Sequence, residues 1–273
     1  MVATSKNLVK RWWAAVAFGV MVLINAAANI LPINGNSSAE VSDSYPNLFA
    51  PAGYTFAIWG VIYLLLGLYS AWQLGYMRNN RSRLSQKTID EITPLYIMSS
   101  VLNVAWIFAW HYRIIWLSLV LIIGMLICLI QINNLLYKEK FSLQERLLVK
   151  APFSIYFGWL TVATIANVCV WLVSSGWDGF GQSDQFWMVS VLIIGAVIGI
   201  ATMVRNTDCA YGAVIVWAFG GILVKHLSEK GWDGAYPLVI GALIPTVIVL
   251  VIATIIIFIR AYETQMRPLL KKQ

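Results

Sequence analysis

Eight long apolar runs divide the sequence, and they restrict the fold more than any other feature of the chain. A helix of about 20 apolar residues matches the thickness of the hydrocarbon core of a bilayer. Inside that core a helix pairs its own backbone N–H and C=O groups, which an open strand cannot do. The sequence therefore predicts an all-α integral membrane protein, a polytopic bundle of eight transmembrane helices. The runs cover residues 12–31, 55–75, 92–110, 114–136, 152–173, 186–204, 210–224 and 238–259.

The amino-acid composition leads to the same fold class. Of the 273 residues, 60% are hydrophobic and only 11% are charged. Soluble globular domains carry about 25% charged residues, so this chain falls outside their range. We therefore expect membrane lipid to be a partner of most of the surface.

The basic residues predict how the bundle is oriented. All but three of the 19 Lys and Arg residues fall at the termini or in the loops after the second, fourth, sixth and eighth runs. The exceptions are Arg113, Lys225 and Lys230. Cytoplasmic loops carry the excess of Lys and Arg, so both the N-terminus and the C-terminus are predicted to be cytoplasmic. The net charge of +7 is spread over separate loops, which indicates topology and predicts no nucleic-acid partner.

The sequence gives no support for catalytic chemistry. No run has a carboxylate near its centre, which disfavours a transporter coupled to protons or ions. The sequence shows no nucleophile motif, phosphate loop or metal-ligand spacing. The three cysteines, Cys128, Cys169 and Cys209, lie in or beside apolar runs, so a disulfide framework is not expected. We expect no enzyme, no catalytic residue, no metal site and no required cofactor.

The second run carries an aromatic stripe. Phe56, Trp59 and Tyr63 are spaced three and four apart, so they share one face of a helix. Gly60 and Gly67 lie on another face, where they allow a neighbouring helix to approach closely in lipid. Such a stripe is typical of a packed core or an interfacial belt, and it is also typical of a ligand pocket.

Two further runs place amides and indoles on one face. Asn103 and Trp106 share a face of the third run, and Trp159, Ala163 and Asn167 are four apart in the fifth. An amide at this depth is costly unless it meets a partner or a polar ligand. Hydrogen bonds between helices are the alternative to a ligand site here.

Three segments together resemble a known family. The second, third and fifth helices of the tryptophan-rich sensory protein family (TspO/MBR), also called the peripheral benzodiazepine receptor or translocator protein, are similar to residues 56–63, 102–106 and 159–167. These segments read Phe-Ala-Ile-Trp-Gly-Val-Ile-Tyr, Leu-Asn-Val-Ala-Trp and Trp-Leu-Thr-Val-Ala-Thr-Ile-Ala-Asn. The resemblance covers roughly residues 12–171.

The resemblance implies a function. Family members are five-helix membrane receptors or sensors, often dimeric, that bind porphyrins or other tetrapyrroles, sterols or drug-like molecules. The resemblance therefore implies a pocket for a flat hydrophobic ligand among helices one, two, three and five, below the loop between helices one and two. It also implies a bacterial cell membrane and a homodimer. The residues at matching motif positions, with Tyr63 added, are Trp59, Tyr63, Asn103, Trp106, Trp159, Ala163 and Asn167.

The chain departs from the family in length and in its first loop. We predict a TspO-like five-helix bundle at 1–175 and an additional three-helix region at 176–273. The first loop lacks the family's Trp-Tyr and Lys-Pro pattern over residues 44–51, where the ligand contacts are expected. The added helices leave open a second function, a transporter or exporter of small hydrophobic compounds in which they complete a path.

Overall fold

In the part of the chain that the structure describes, eight helices are long and apolar enough to cross a membrane. The computed structural model describes residues 5–31, 33–78 and 82–270, and no strand occurs within these ranges. The predicted all-α, eight-helix, multi-pass membrane protein is thereby confirmed, and contact with lipid follows from it. The spans are Asn7–Ala28, Gly53–Gln73, Gln86–His111, Ile115–Tyr137, Leu143–Ser174, Asp184–Asn206, Cys209–Leu227 and Pro237–Ala261.

The orientation in the membrane stays a prediction. An even number of spans places the beginning of the first and the end of the last on the same side. Arg81, Lys271 and Lys272, which contribute to the predicted charge bias, lie outside the described residues.

The described ranges contain ten α-helices. They are α1 (Ser5–Ile30), α2 (Ser38–Asp43), α3 (Ile58–Gln73), α4 (Gln86–His111), α5 (Ile115–Tyr137), α6 (Leu143–Glu145), α7 (Ala151–Ser174), α8 (Asp184–Asn206), α9 (Cys209–Leu227) and α10 (Pro237–Leu270). Helix α2 lies outside the spans, and α6 and α7 share the fifth span. A 3-10 turn at Gly53–Ala57 leads into α3, and a π turn at Arg146–Lys150 joins α6 to α7. This π turn ends two residues before Pro152, which has no N–H for the carbonyl four residues earlier.

Two groups of helices pack against each other through α7 and α9. In the first group α4 lies against α1 and α5, while α7 lies against α3 and α5. In the second group α10 lies against α8 and α9. Gly158 of α7 permits the close approach of α9, because a Cβ there would lie 2.9 Å from the carbonyl oxygen of Tyr211 and 3.0 Å from the Cβ of Val214. Lipid tails are as apolar as the helices, so the hydrophobic effect does not drive helices together in a membrane. Helices associate there through close van der Waals packing at small residues such as glycine.

Glu145 ties two loops together at the end of the bundle where α7 begins. Its carboxylate accepts a hydrogen bond from the Ser82 hydroxyl at 2.6 Å and from the N–H groups of Arg83 and Leu84, both at 2.9 Å. It also accepts the N–H of Ser142 at 2.8 Å, completing a capping box. Glu145 is only 1% exposed, so its charge is stabilised by these donors in place of water.

We predict that Gly158→Ala lowers the free energy of unfolding by about 1–3 kcal/mol, because the new methyl group overlaps the backbone of α9. The measurement is denaturant unfolding of the detergent-solubilised protein, followed by circular dichroism. Gly19→Ala is the control, since a Cβ at Gly19 meets nothing within 4 Å. Equal losses in the two variants would contradict the close-approach argument.

We predict that Glu145→Gln lowers the free energy of unfolding by about 2–3 kcal/mol, because its amide group presents N–H donors to the N–H groups of the 82–84 loop. Thermal unfolding in detergent measures the change. Glu91→Gln is the matched control: Glu91 is 43% exposed and its contact with Lys87 spans 3.8 Å. Its effect should stay below about 0.5 kcal/mol, and a larger effect than that of Glu145→Gln would refute the assignment.

Candidate functional site

Trp59 lies at the centre of an aromatic cluster. Its ring stacks on Tyr63, with centroids 5.5 Å apart and planes at 21°. It also contacts Tyr156 at 5.9 Å, and Trp106 and Trp159 at 6.2 Å each. Aromatic pairs of this geometry each contribute about 0.5–1.5 kcal/mol beyond the area that they bury. The cluster therefore joins α3, α4 and α7 and fixes the position of the Trp59 indole.

The two predicted site amides bridge helices. Asn25 of α1 donates from Nδ2 to Oδ1 of Asn103 at 2.7 Å. Trp106 donates from Nε1 to Oδ1 of Asn167 at 3.2 Å, and Asn167 donates in turn to the Ser118 hydroxyl at 3.1 Å. Asn103 and Asn167 are 0% and 2% exposed, so each amide is satisfied by protein partners deep in the bundle.

A cavity of about 470 Å³ lies beside this cluster, between α1, α3 and the segment that joins them. Its volume falls in the range of ligand pockets, roughly 300–1,000 Å³. The lining is mostly apolar, and none of the described residues that line it is charged. The lining residues are Val22, Asn25, Ala26, Ser37, Ser38, Ala39, Gly53, Phe56, Ala57, Trp59, Gly60 and Tyr63.

The segment of residues 33–57, called the lid below, supplies half of that lining. Helix α2 begins at a capping box in which the N–H of Ser37 donates to the Glu40 carboxylate at 2.6 Å. This hydrogen bond is the main reason that the pKa of the Glu40 carboxyl is lowered from its usual value. Trp110 of α4 donates from Nε1 to the carbonyl of Ser38 at 3.1 Å. Asn34 donates to the carbonyl of His111 at 3.0 Å, so α4 holds the first part of the lid.

The seven residues predicted from the sequence occupy different positions around the cavity. Trp59 and Tyr63 line it. Trp106 and Trp159, which are 5% and 3% exposed, lie behind Trp59 and contact its ring. Asn103 does not line the cavity but accepts a hydrogen bond from Asn25, which does. The remaining two lie further away: Asn167 hydrogen-bonds Trp106, and the half-buried Ala163 packs against the apolar core.

Several lining residues were not predicted from the sequence. The lid residues 37–39 and Gly53 belong to this group, as do Val22 and Ala26 of α1. Part of the lid could have been located, because Ser37 and Glu40 form the Ser-x-x-Glu pattern typical of a helix start. The α1 residues carry no comparable signal, since small and β-branched residues occur along many membrane helices.

The comparison with known families matches most of the chain. A family model described as TSPO-like protein matches residues 11–267. No curated protein and no solved structure matches the chain. The family match extends past the segments that carry the resemblance and includes α8, α9 and most of α10. The predicted boundary between 1–175 and 176–273 stays a prediction. The family match confirms the resemblance found in the sequence, and the chain belongs to the TSPO-like protein family.

Proposed function

We propose that this protein is a membrane receptor or sensor that binds a flat hydrophobic ligand, such as a porphyrin or another tetrapyrrole, in the cavity below the lid. The observation that carries the proposal is the combination of an apolar cavity of about 470 Å³ with a flat aromatic wall. Membership of the TSPO-like family supports a protein of the sensor or transporter type. The ligand class is our inference from the chemistry of the wall.

The wall formed by Trp59 and Tyr63 suits a planar ligand. Both rings line the cavity and their planes lie within 21° of each other, so a planar ligand can stack on the ring that it reaches. Aromatic systems prefer such offset stacking, and a tetrapyrrole presents a large π face for it. Because the described lining carries no charge, the carboxylates of a porphyrin would stay at the mouth of the cavity, where water or lipid headgroups solvate them.

The residues behind the wall support binding by preorganisation. Trp106, Tyr156 and Trp159 contact the Trp59 ring and hold it in place before any ligand arrives. Ordering a side chain on binding costs about 0.5–1.5 kcal/mol, so a fixed ring binds more tightly than a free one. The Nε1 atom of Trp159 is buried and finds no hydrogen-bond partner among the described residues. Phe56 lines the cavity and its ring contacts Trp159 edge to face. We propose that a ligand which displaces Phe56 accepts a hydrogen bond from this N–H, and for this reason Trp159 belongs to the proposed site.

Access to the cavity is proposed from the side. Ala26 of α1 and Ala57 and Gly60 near the start of α3 line the cavity and are exposed. These positions carry small residues, which leave a gap between the two helices at the surface that faces lipid. A hydrophobic ligand partitions into the bilayer first, so a lateral opening receives it from the phase in which it is concentrated.

Transport of small hydrophobic compounds is the alternative function, and a homodimer is a further proposal drawn from the family. Binding and transport differ in what happens after the ligand enters the cavity. The amount of porphyrin taken up by proteoliposomes that contain the purified protein distinguishes the two. A transporter accumulates porphyrin in the lumen, whereas a receptor binds no more porphyrin than the amount of protein allows. Crosslinking in the same vesicles reports whether two copies associate.

We predict that Trp59→Ala weakens binding of protoporphyrin about tenfold or more, because it removes the wall of the cavity, and that Trp59→Phe weakens it less. The measurement is the change in porphyrin absorbance during titration with protein, which does not depend on the removed indole. Trp159→Phe should also weaken binding, through the lost N–H and the looser support of Trp59.

Trp116→Ala is the control for these variants. Trp116 is 61% exposed near the start of α5, and it lies outside the cavity lining. Its removal should leave the affinity unchanged. Saturable binding of equal strength in the parent, Trp59→Ala and Trp116→Ala would refute the proposed site, and an absence of saturable binding in the parent would refute the proposed ligand class.

A further inference from the structure

Helix α9, in the C-terminal part of the chain, lies against the second part of the lid. The N–H of Ala52 donates to the carbonyl of Gly221 at 3.0 Å. Trp217 donates from Nε1 to the carbonyl of Thr55 at 3.0 Å. Two backbone groups of the lid, the N–H of Ala52 and the carbonyl of Thr55, are thus paired by α9.

Two charged or ionisable side chains at the end of α9 extend this contact. His226 is fully buried and donates from Nε2 to the carbonyl of Leu48 at 2.9 Å. Its neighbour Lys225 forms an ion pair with Asp43, the last residue of α2. The His226 side chain also contacts the rings of Trp232 and Tyr236, at 6.4 and 6.0 Å, so the loop after α9 fixes its orientation.

The lid and α9 also fit each other closely in shape. Phe49 of the lid meets Phe219 edge to face, with ring centroids 6.2 Å apart and both side chains buried. Thr55 lies directly over Gly221, where a Cβ would overlap its side chain. Only glycine fits there, which shows how closely the lid and α9 approach.

The residues that α9 holds alternate with residues that line the cavity. Ala52 and Thr55 face α9, while Gly53 and Phe56, each the next in sequence, line the cavity. By contrast, α4 holds the first part of the lid through Asn34 and Ser38. The lid therefore has two attachments, and the one nearer to Trp59 along the chain is made by α9.

We propose that α9 positions the lid, so that the three C-terminal helices are part of the ligand-binding unit. His226 and Lys225 act as positioning residues: they do not line the cavity but hold the segment that does. This inference rests on the proposed function for the identity of the ligand. The attachment of the lid itself can be tested without any ligand.

The two contacts at the end of α9 differ in strength. The His226 hydrogen bond is buried, so its loss leaves the Leu48 carbonyl unpaired away from water, and we expect a change of about tenfold in lid opening. The ion pair is partly solvated, since the side chain of Asp43 is 52% exposed. Solvated pairs contribute little and are screened by salt, so we expect about twofold there.

The test measures how fast a water-soluble maleimide reacts with a cysteine placed in the lid. Cys128, Cys169 and Cys209 are first replaced by alanine. The reporter is Ala50→Cys, at a position only 4% exposed in the part of the lid that α9 holds. The matched reporter is Ser38→Cys, at a position 5% exposed in the part that α4 holds.

We predict that His226→Leu speeds labelling at position 50 about tenfold and labelling at position 38 less than twofold. His226→Gln keeps an N–H that can reach the Leu48 carbonyl and should restore most of the slow rate. Lys225→Met, which is the mildest change, should speed labelling at position 50 about twofold, and high salt should do the same in the parent.

Two outcomes would overturn the proposal. Unchanged labelling at position 50 in His226→Leu means that α9 does not hold the lid. Equal acceleration at positions 38 and 50 means that α9 has no specific hold on the second part of the lid, which the proposal requires.

Porphyrin titration of the same variants connects the lid to the ligand. A weaker affinity in His226→Leu, restored in His226→Gln, supports a positioning role, while an unchanged affinity with a loosened lid contradicts it. If the parent binds no porphyrin, the proposed function fails, and the labelling rates still decide whether α9 holds the lid.

Discussion

The hydrocarbon core of a bilayer contains no water that could pair a buried N–H, C=O or amide group, and this constraint shapes the whole protein. It forces the apolar runs into helices, and it favours hydrogen bonds between polar side chains of different helices inside the bundle. Asn25 with Asn103, and Asn167 with Ser118, are examples. The same amides that satisfy one another also set which helices lie side by side, and thereby where a cavity remains.

The cavity exists because aromatic side chains fill the bundle unevenly. Trp106, Tyr156 and Trp159 pack tightly behind Trp59. On the other side of Trp59, the α1 residues in the described lining are Val22, Asn25 and Ala26, whose side chains leave the space unfilled. A flat wall beside an unfilled space is the geometry that a planar ligand needs, and it results from the contrast between large residues on α3, α4 and α7 and small ones on α1.

Much of the fold could be predicted from the sequence, because hydrophobic length is a local property. Each predicted run coincides with a span of the structure, and differences are confined to helix ends such as Leu143, where a capping box begins the fifth span well before its apolar part. The shared face of Trp59 and Tyr63 could also be predicted, since helical spacing determines which residues lie on the same face. Which face of α1 meets that stripe depends on packing between distant segments, and no local pattern encodes it. The pairing of the lid with α9 is of the same kind: nothing near His226 or Leu48 in the sequence points to the other.

The attachment of the lid has a consequence for biosynthesis. Asp43 and Lys225 are 182 positions apart, and a ribosome adds about 5–20 residues each second. The lid therefore leaves the ribosome many seconds before the helix that holds it is available. During that interval the first five spans can already be inserted, with the first part of the lid held by α4 and the second part not yet held by α9. The second attachment of the lid thus forms only when α9 is inserted, late in synthesis, and a chain that stops after the fifth span would carry Trp59 and Tyr63 without that attachment.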